Sequence, residues 1–512
     1  MKRKLYILAC AMFALTFNAC IDDDSGMGGN VLPELTIAGD KENMSVYNFD
    51  LGTNCVISPE ITYKGGTESE LTYTWSIGTY NNSIKGEAEE VSTERNLNYF
   101  FTKGGSYYAH LVVTDGKVGQ AMDYRININR TFEEGYVLVS ANESGEGNLT
   151  FVKIMTPEEE AAGASQVYME HCLKSMNNDL SESTLRNAVL GTATTSTGGS
   201  VDRLLVSTAD KCYFLDPNTF TAISEIDYAS TYPGFKATHF IPDDYSPYAY
   251  DSSMKKFVHL DMAFMFSYEY NYYLGNSFDD FYLSQYTQWG SSVTKTLFVN
   301  YNPSVVAEFN AYAPWYGLDT YFPSTENLLA KDEILSTFVS EEYDEVNYSL
   351  PTHILTRSTE DPNIIRLYSQ DTYSYTFAET DFAAVECTLT ADMALPKQGT
   401  RFVSSATYHR YFYAVDNSIY VFLRNNAFTL PKKNEAAITF ADDKEVTYLS
   451  VNAETEELYV AVYNKTSKRG SFYIFNTADV RADNQSSATP KKSFKNCADK
   501  ISSVLYKPSI AN

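Results

Sequence analysis

The chain has 512 residues, of which 44% are hydrophobic and 20% charged, and carries a formal charge of -26. That apolar content is enough for more than one buried core and excludes a disordered chain. The acidic excess repels phosphate backbones and anionic headgroups, which argues against nucleic-acid binding and electrostatic docking to a membrane.

Residues 1–19 read as a secretory signal. Lys2, Arg3 and Lys4 precede an apolar run from Leu5 to Phe17 that is too short to span a bilayer. Ala19 stands directly before Cys20, the arrangement a lipoprotein signal peptidase requires, so Cys20 is expected to become a lipidated N-terminus. Removing the signal leaves the chain three units more negative. Residues 20–30 then form a tether, acidic at Asp22, Asp23 and Asp24 and Gly-rich afterwards. Cys20-Ile-Asp-Asp-Asp24 resembles the acidic export signal of Bacteroidota-type lipoproteins. That resemblance implies lipid anchoring in the outer membrane, facing the cell exterior.

From 31 to 130 short alternating runs separated by polar or Gly-rich turns predict a small all-β sandwich. Leu71, Tyr73 and Trp75 share one face of their run, and Tyr107, Ala109, Leu111 and Val113 share one face of theirs. Trp75 is thereby a core residue, while His110 points the other way. Gly105-Ser-Tyr-Tyr-Ala-His-Leu-Val-Val-Thr-Asp-Gly116, with Tyr73-Thr-Trp75 before it, resembles the penultimate and central strands of PKD domains, which have an immunoglobulin-like sandwich fold. With the lipidation signal, the chain is similar to PKD-like family lipoproteins encoded beside SusC/SusD-like nutrient-uptake pairs. The resemblance implies a SusC/SusD-like transporter pair as partner.

From 131 to 512 one unit recurs: an apolar strand, a polar turn, then a second strand rich in Tyr or Phe. Gly135–Ser140 leads to Asn148–Ile154, Arg203–Ser207 to Lys211–Pro217, Arg410–Val415 to Ser418–Leu423, and Glu457–Val462 to Gly470–Asn476. Such hairpins are expected as the apolar inner part of β-propeller blades, and the span suits seven blades of roughly 45 to 55 residues. Ile501–Tyr506 is expected to complete the first blade and close the ring. Two stacked β-sandwiches are the alternative. Thr156-Pro-Glu-Glu-Glu-Ala-Ala162 predicts a short helix inserted in the first blade. Gly191–Ser200 reads as a loop, and Met262–Leu283 as helices or strands without a clear period.

Aromatic residues concentrate in Tyr245–Trp289 and Asn310–Phe322. The chain has 41 Tyr but only 3 Trp, and two of the three fall here. Trp289, Trp315 and Tyr316, beside Gly or Pro, are expected on loops, and with Tyr272 and Tyr273 they are the candidate ligand contacts. Aromatic faces stack on sugar rings or pack on peptide side chains, with Asp279, Asp280 and Asp319 nearby as acceptors. No HExxH, GxSxG, phosphate-cradling loop or zinc spacing occurs. His239, His259, His353 and His409 stand singly and are expected in the core or in turns. Cys55, Cys172, Cys212, Cys387 and Cys497 read mainly as buried thiols. No catalytic residue, metal or cofactor is assigned. The favoured function is a non-enzymatic surface lipoprotein that binds a glycan or peptide oligomer for an uptake complex. The alternatives are a propeller glycoside hydrolase or lyase, and a scaffold of the transporter assembly.

Overall fold

The computed structural model describes residues 33–39, 44–50, 54–81, 84–101, 105–129, 132–161, 163, 165–177, 180–194, 198–243, 247–270, 277–288, 291–309, 325, 327–340, 350–370, 379–423, 428–482 and 488–510. The chain divides into two compact units, Met1–Asn129 and Arg130–Asn512.

The first unit is a β-sandwich. Its larger layer has five strands in the spatial order Ser45–Asp50, Gly119–Asn129, Gly105–Thr114, Thr72–Asn81 and Ile84–Ser92. Ser45–Asp50 runs parallel to its neighbour and the other pairs are antiparallel. Two further pairs, Glu34–Ile37 with Ile61–Lys64 and Asn54–Ile57 with Leu97–Phe100, complete the unit. The alternation does what it predicts: Leu71, Trp75, Ala109, Leu111 and Val113 are buried in one core with Cys55, Leu97 and Ile126. Trp75 has no exposed surface, and its indole N–H donates to the Glu94 carbonyl at 3.0 Å, satisfying the polar end of a buried ring. The tight turn after Gly105–Thr114 is organised by Asp115, which accepts the backbone N–H groups of Lys117 and Val118 at 2.7 Å and the Tyr63 hydroxyl. Those donors, Tyr63 first, hold the Asp115 carboxyl down at about 2. Gly116 supplies the positive φ of 86° that the turn needs.

The second unit is a seven-bladed β-propeller. The innermost strands, in ring order, are Lys500–Lys507, Leu185–Thr194, His239–Ile241, Asp280–Gln288, Asp332–Val339, Phe402–Ser405 and Lys444–Asn452, and each touches the next until the last meets the first. Six blades have four described strands and the fourth blade has three. The hairpins legible in the sequence are the second and third strands of their blades, not the innermost ones. Their continuous apolar character follows from burial on both sides. Val137 and Val139 face the second blade in one cluster, while Tyr136 and Leu138, one residue out of phase, face the seventh in another. One such cluster fills each of the seven interfaces between blades.

The ring closes by the predicted device: Lys500–Lys507 pairs antiparallel with Gly135–Ala141 inside the first blade. A polar clasp reinforces the seam. Asn148, fully buried, donates to Glu170 Oε2 and Asp499 Oδ2, both at 3.0 Å, and its carbonyl accepts the Thr150 hydroxyl and the His171 N–H. Arg469 of the seventh blade bridges the same two carboxylates. Gly470 beside it has no alternative, since a Cβ there would overlap the Asp499 carbonyl.

The helix at Pro157–Ala161 forms between two strands of the first blade, with Thr156 and Glu159 making a reciprocal capping box. The expected loop at Gly191–Ser200 is shorter than read. Gly191–Thr194 continues an innermost strand by pairing with Ser200–Arg203, because a neighbouring strand outweighs weak local propensity. The segment Met262–Leu283 contributes strands at Phe266–Tyr270 and from Asp280 onward.

Candidate functional site

Cys20, Asp22, Asp23, Asp24, Tyr272, Tyr273, Trp289, Trp315 and Tyr316 lie outside the described residues. So does Asp319. Gln288 and Ser291, which flank Trp289, pair with each other at the end of the first hairpin of the fourth blade.

Several other aromatics of the same stretch are structural. Tyr248, Tyr250 and Tyr282 are buried between blades, and the Tyr250 hydroxyl accepts the Phe278 N–H at 3.1 Å. Asp279 and Asp280 are occupied within the protein. Asp279 accepts the Tyr301 N–H at 2.9 Å, and Asp280 accepts the Arg401 guanidinium at 3.1 Å and the Tyr301 hydroxyl at 3.3 Å. Arg401 also donates to the Phe281 carbonyl and lies 4.9 Å from the Tyr282 ring centre, so it fastens the segment before the sixth blade to the fourth.

An exposed aromatic row lies on the third blade. Phe264, Phe266 and Tyr268 are 57%, 46% and 36% exposed, with ring centres 6.3 and 5.9 Å apart along the row. Alternation builds it: on the outermost strand Phe266–Tyr270, residues 266 and 268 face one way. On the other side Ser267 accepts the Tyr232 hydroxyl at 2.9 Å and Glu269 pairs with Lys256 at 2.8 Å. The turn before the strand brings Phe264 into line. Asp261 accepts the Phe264 N–H through its side chain and the Met265 N–H through its carbonyl, while Met265 takes a φ of 55°. Behind the row, Tyr268 packs on His259 at 4.6 Å and His259 on the buried Tyr248 at 5.1 Å. Burial pushes the His259 pKa down to about 4 against the pull of Asp261, so the ladder is uncharged at neutral pH. This surface can stack on apolar faces. All three lie in the aromatic-rich stretch Tyr245–Trp289, where the Phe-x-Phe-x-Tyr spacing is visible in the sequence.

The histidines sit as expected. His259 and His353 are buried in strands, His353 between Ser369 and Tyr411, and His409 occupies a turn at φ 50°. His239 bonds the Asp279 carbonyl at 3.0 Å, and burial holds its pKa below the ordinary value. Four of the five described cysteines are buried, with burial raising the thiol pKa of Cys55 to about 11 and of Cys497 to about 12. Cys387, on an outer strand, is partly exposed. Among the described residues no group of three His, Cys, Asp or Glu could hold a metal ion.

No protein-family model matches the chain. No curated protein matches it in sequence. Solved structures do resemble it. A quinoprotein alcohol dehydrogenase-like protein from Bacteroides thetaiotaomicron aligns over 92% of this chain and 99% of its own at 14% identity, with a TM-score of 0.48. A DUF4784 family protein from Bacteroides caccae aligns over 93% and 98% at 9% identity, with a TM-score of 0.27.

Proposed function

We propose that this chain is a non-enzymatic lipoprotein of the outer face of the outer membrane that binds a glycan or peptide oligomer as an accessory subunit of a SusC/SusD-like uptake complex. The observation that carries the binding reading is the exposed row Phe264, Phe266, Tyr268. Three adjacent rings, two on an outer strand and one on the turn before it, form a surface that monomeric proteins seldom leave bare without use. Their regular spacing along an extended strand suits an elongated, repeating ligand rather than a compact one. Cys20 and the aspartates after it support the location, and the resemblance in Gly105–Gly116 supports the transporter pair as partner. Tyr272, Tyr273, Trp289, Trp315 and Tyr316 are proposed as further contacts.

Affinity electrophoresis of the full chain through gels holding individual polysaccharides, with titration of extended peptides in parallel, tests this. At least one polymer should retard the protein. Phe264→Ser, Phe266→Ser and Tyr268→Ser together should weaken that retention at least about tenfold, since each stacked ring contributes about 0.5 to 1.5 kcal/mol. Release of shorter products from the polymer would overturn the non-enzymatic reading, and unchanged retention of the triple variant would remove the row from the site. Capture of the lipidated protein from solubilised outer membranes should bring a SusC/SusD-like pair with it; recovery without one would remove the uptake role.

A further inference from the structure

The sandwich unit carries a second surface with different chemistry. A cleft of about 300 Å³ opens in it, lined by Glu87, Glu89 and Tyr107 of the five-stranded layer and by Tyr99 and Phe101 at the end of Leu97–Phe100. The rings are packed together, Tyr99 to Phe101 at 4.8 Å and Phe101 to Tyr107 at 4.6 Å, so they form one wall. The carboxylates arrive there by register. Glu89 pairs with Ile77, whose side chain faces the core, and Glu87 follows on the same face two residues along. At these positions of the strand an apolar residue would have closed the sandwich; the sequence places two acids instead. Neither glutamate has an ion pair among the described residues, and the wall they share the cleft with is aromatic rather than basic.

Glu87 and Glu89 belong to Ile84–Ser92, the edge of the five-stranded layer, and no described strand pairs with its outer side. Charges on an edge strand discourage stray pairing wherever they stand. That role requires no cavity and no packed aromatic wall, and both are present. We propose that this edge and cleft together receive an extended basic segment of a partner protein. The segment adds as a further strand beside Ile84–Ser92, and one of its Arg or Lys side chains enters the cleft. There the cation meets Glu87 and Glu89 while its alkyl or guanidinium plane lies on Tyr99, Phe101 and Tyr107. The volume suits one long side chain and is too small for a folded domain or a helix. Charge complementarity selects a basic segment over an acidic or neutral one, because two unpaired carboxylates would repel the former and lose hydration against the latter. The proposal concerns the sandwich alone and stands or falls independently of the aromatic row on the propeller.

The test uses the full chain and two end-blocked heptapeptides, one alternating valine with arginine and one alternating valine with glutamate. Calorimetry should show binding of the arginine peptide only, weakening as salt is raised. Amide exchange should slow in Ile84–Ser92 on its addition. Glu87→Gln with Glu89→Gln should reduce affinity at least tenfold, and Tyr99→Leu should reduce it severalfold at unchanged charge. Ethylguanidinium, which fills the cleft without pairing, should bind at least tenfold more weakly than the peptide. Equal binding of both peptides, no slowing in Ile84–Ser92, full affinity in the glutamine variant, or ethylguanidinium equal to the peptide would each overturn the proposal.

Discussion

A chain ending at Asp499 is expected to lose the closed propeller, and a synthetic peptide spanning Lys500–Lys507 is expected to restore it. The terminal strand is the innermost strand of the first blade although it lies more than 350 residues from its partner strand Gly135–Ala141 in sequence. It contributes Ile501 and Val504 to the cluster shared with the seventh blade, beside Tyr136, Leu138 and Phe472. Without it the second strand of the first blade becomes an edge, and one of the seven interfaces loses its seal. Near-UV circular dichroism and size-exclusion elution should report the loss. Recovery on adding the peptide would show that strand pairing, and not a general defect, is at fault. A truncated chain that keeps its near-UV signal would mean that the other six interfaces suffice. The clasp gives a point-substitution version of the same test. Asn148→Ala removes a fully buried amide that holds Glu170 and Asp499 on one side and the Thr150 hydroxyl and His171 N–H on the other. The cost should be about 2 to 3 kcal/mol in urea unfolding, because the His171 N–H and the Thr150 hydroxyl lose their acceptor and the two carboxylates are left with Arg469 alone.

The legible part of this fold was the part in which burial is regular. In the sandwich, one face is buried and one is wet, so Leu71, Tyr73, Trp75 and Ile77 declare the core by alternation. In the first, second, sixth and seventh blades both faces of the middle strands are buried, and runs such as Leu458–Val462 declare themselves by unbroken apolarity. The fifth blade hides because one of its buried strands is largely polar. Thr352, His353, Thr356 and Ser358 are all nearly inaccessible in one strand of the fifth blade, and no hydrophobic pattern marks it. The aromatic row was half legible. Its alternation is in the sequence, but the turn that aligns Phe264 with it uses Met265 in a left-handed conformation, where a Gly or Asn would have announced a turn. The acidic cleft was not legible at all, since Glu87 and Tyr99 come to line one cleft only in the folded sandwich. The candidates at Cys20 and Trp289 depend on residues outside those described, and binding experiments bear on them directly.

His259 should make stability fall steeply in mild acid. Its imidazole is 6% exposed between Tyr248 and Tyr268, and burial lowers its pKa from the ordinary 6.5 to about 4, with Asp261 opposing the shift. Above pH 6.5 the residue is neutral in both folded and unfolded chains and contributes no pH dependence. Between 6.5 and 4 the unfolded chain takes up a proton that the folded chain refuses, so stability declines as pH falls through that window. Below 4 both states are protonated and the effect is complete. Between about pH 7 and about pH 4.5 the contribution should be roughly 2 to 3 kcal/mol. His259→Phe keeps a ring between the two tyrosines and removes the titration. Any packing cost of the larger ring is the same at every pH, and the carboxylates that titrate in the window are common to both proteins. The difference between the two urea-unfolding profiles therefore isolates the histidine. Parallel profiles down to about pH 4.5 would show that the imidazole is hydrated in the native state. A divergence of the expected sign would show the third blade to be the acid-labile part of the ring, and binding through Phe264, Phe266 and Tyr268 should then weaken over the same range, because Tyr268 rests on that imidazole.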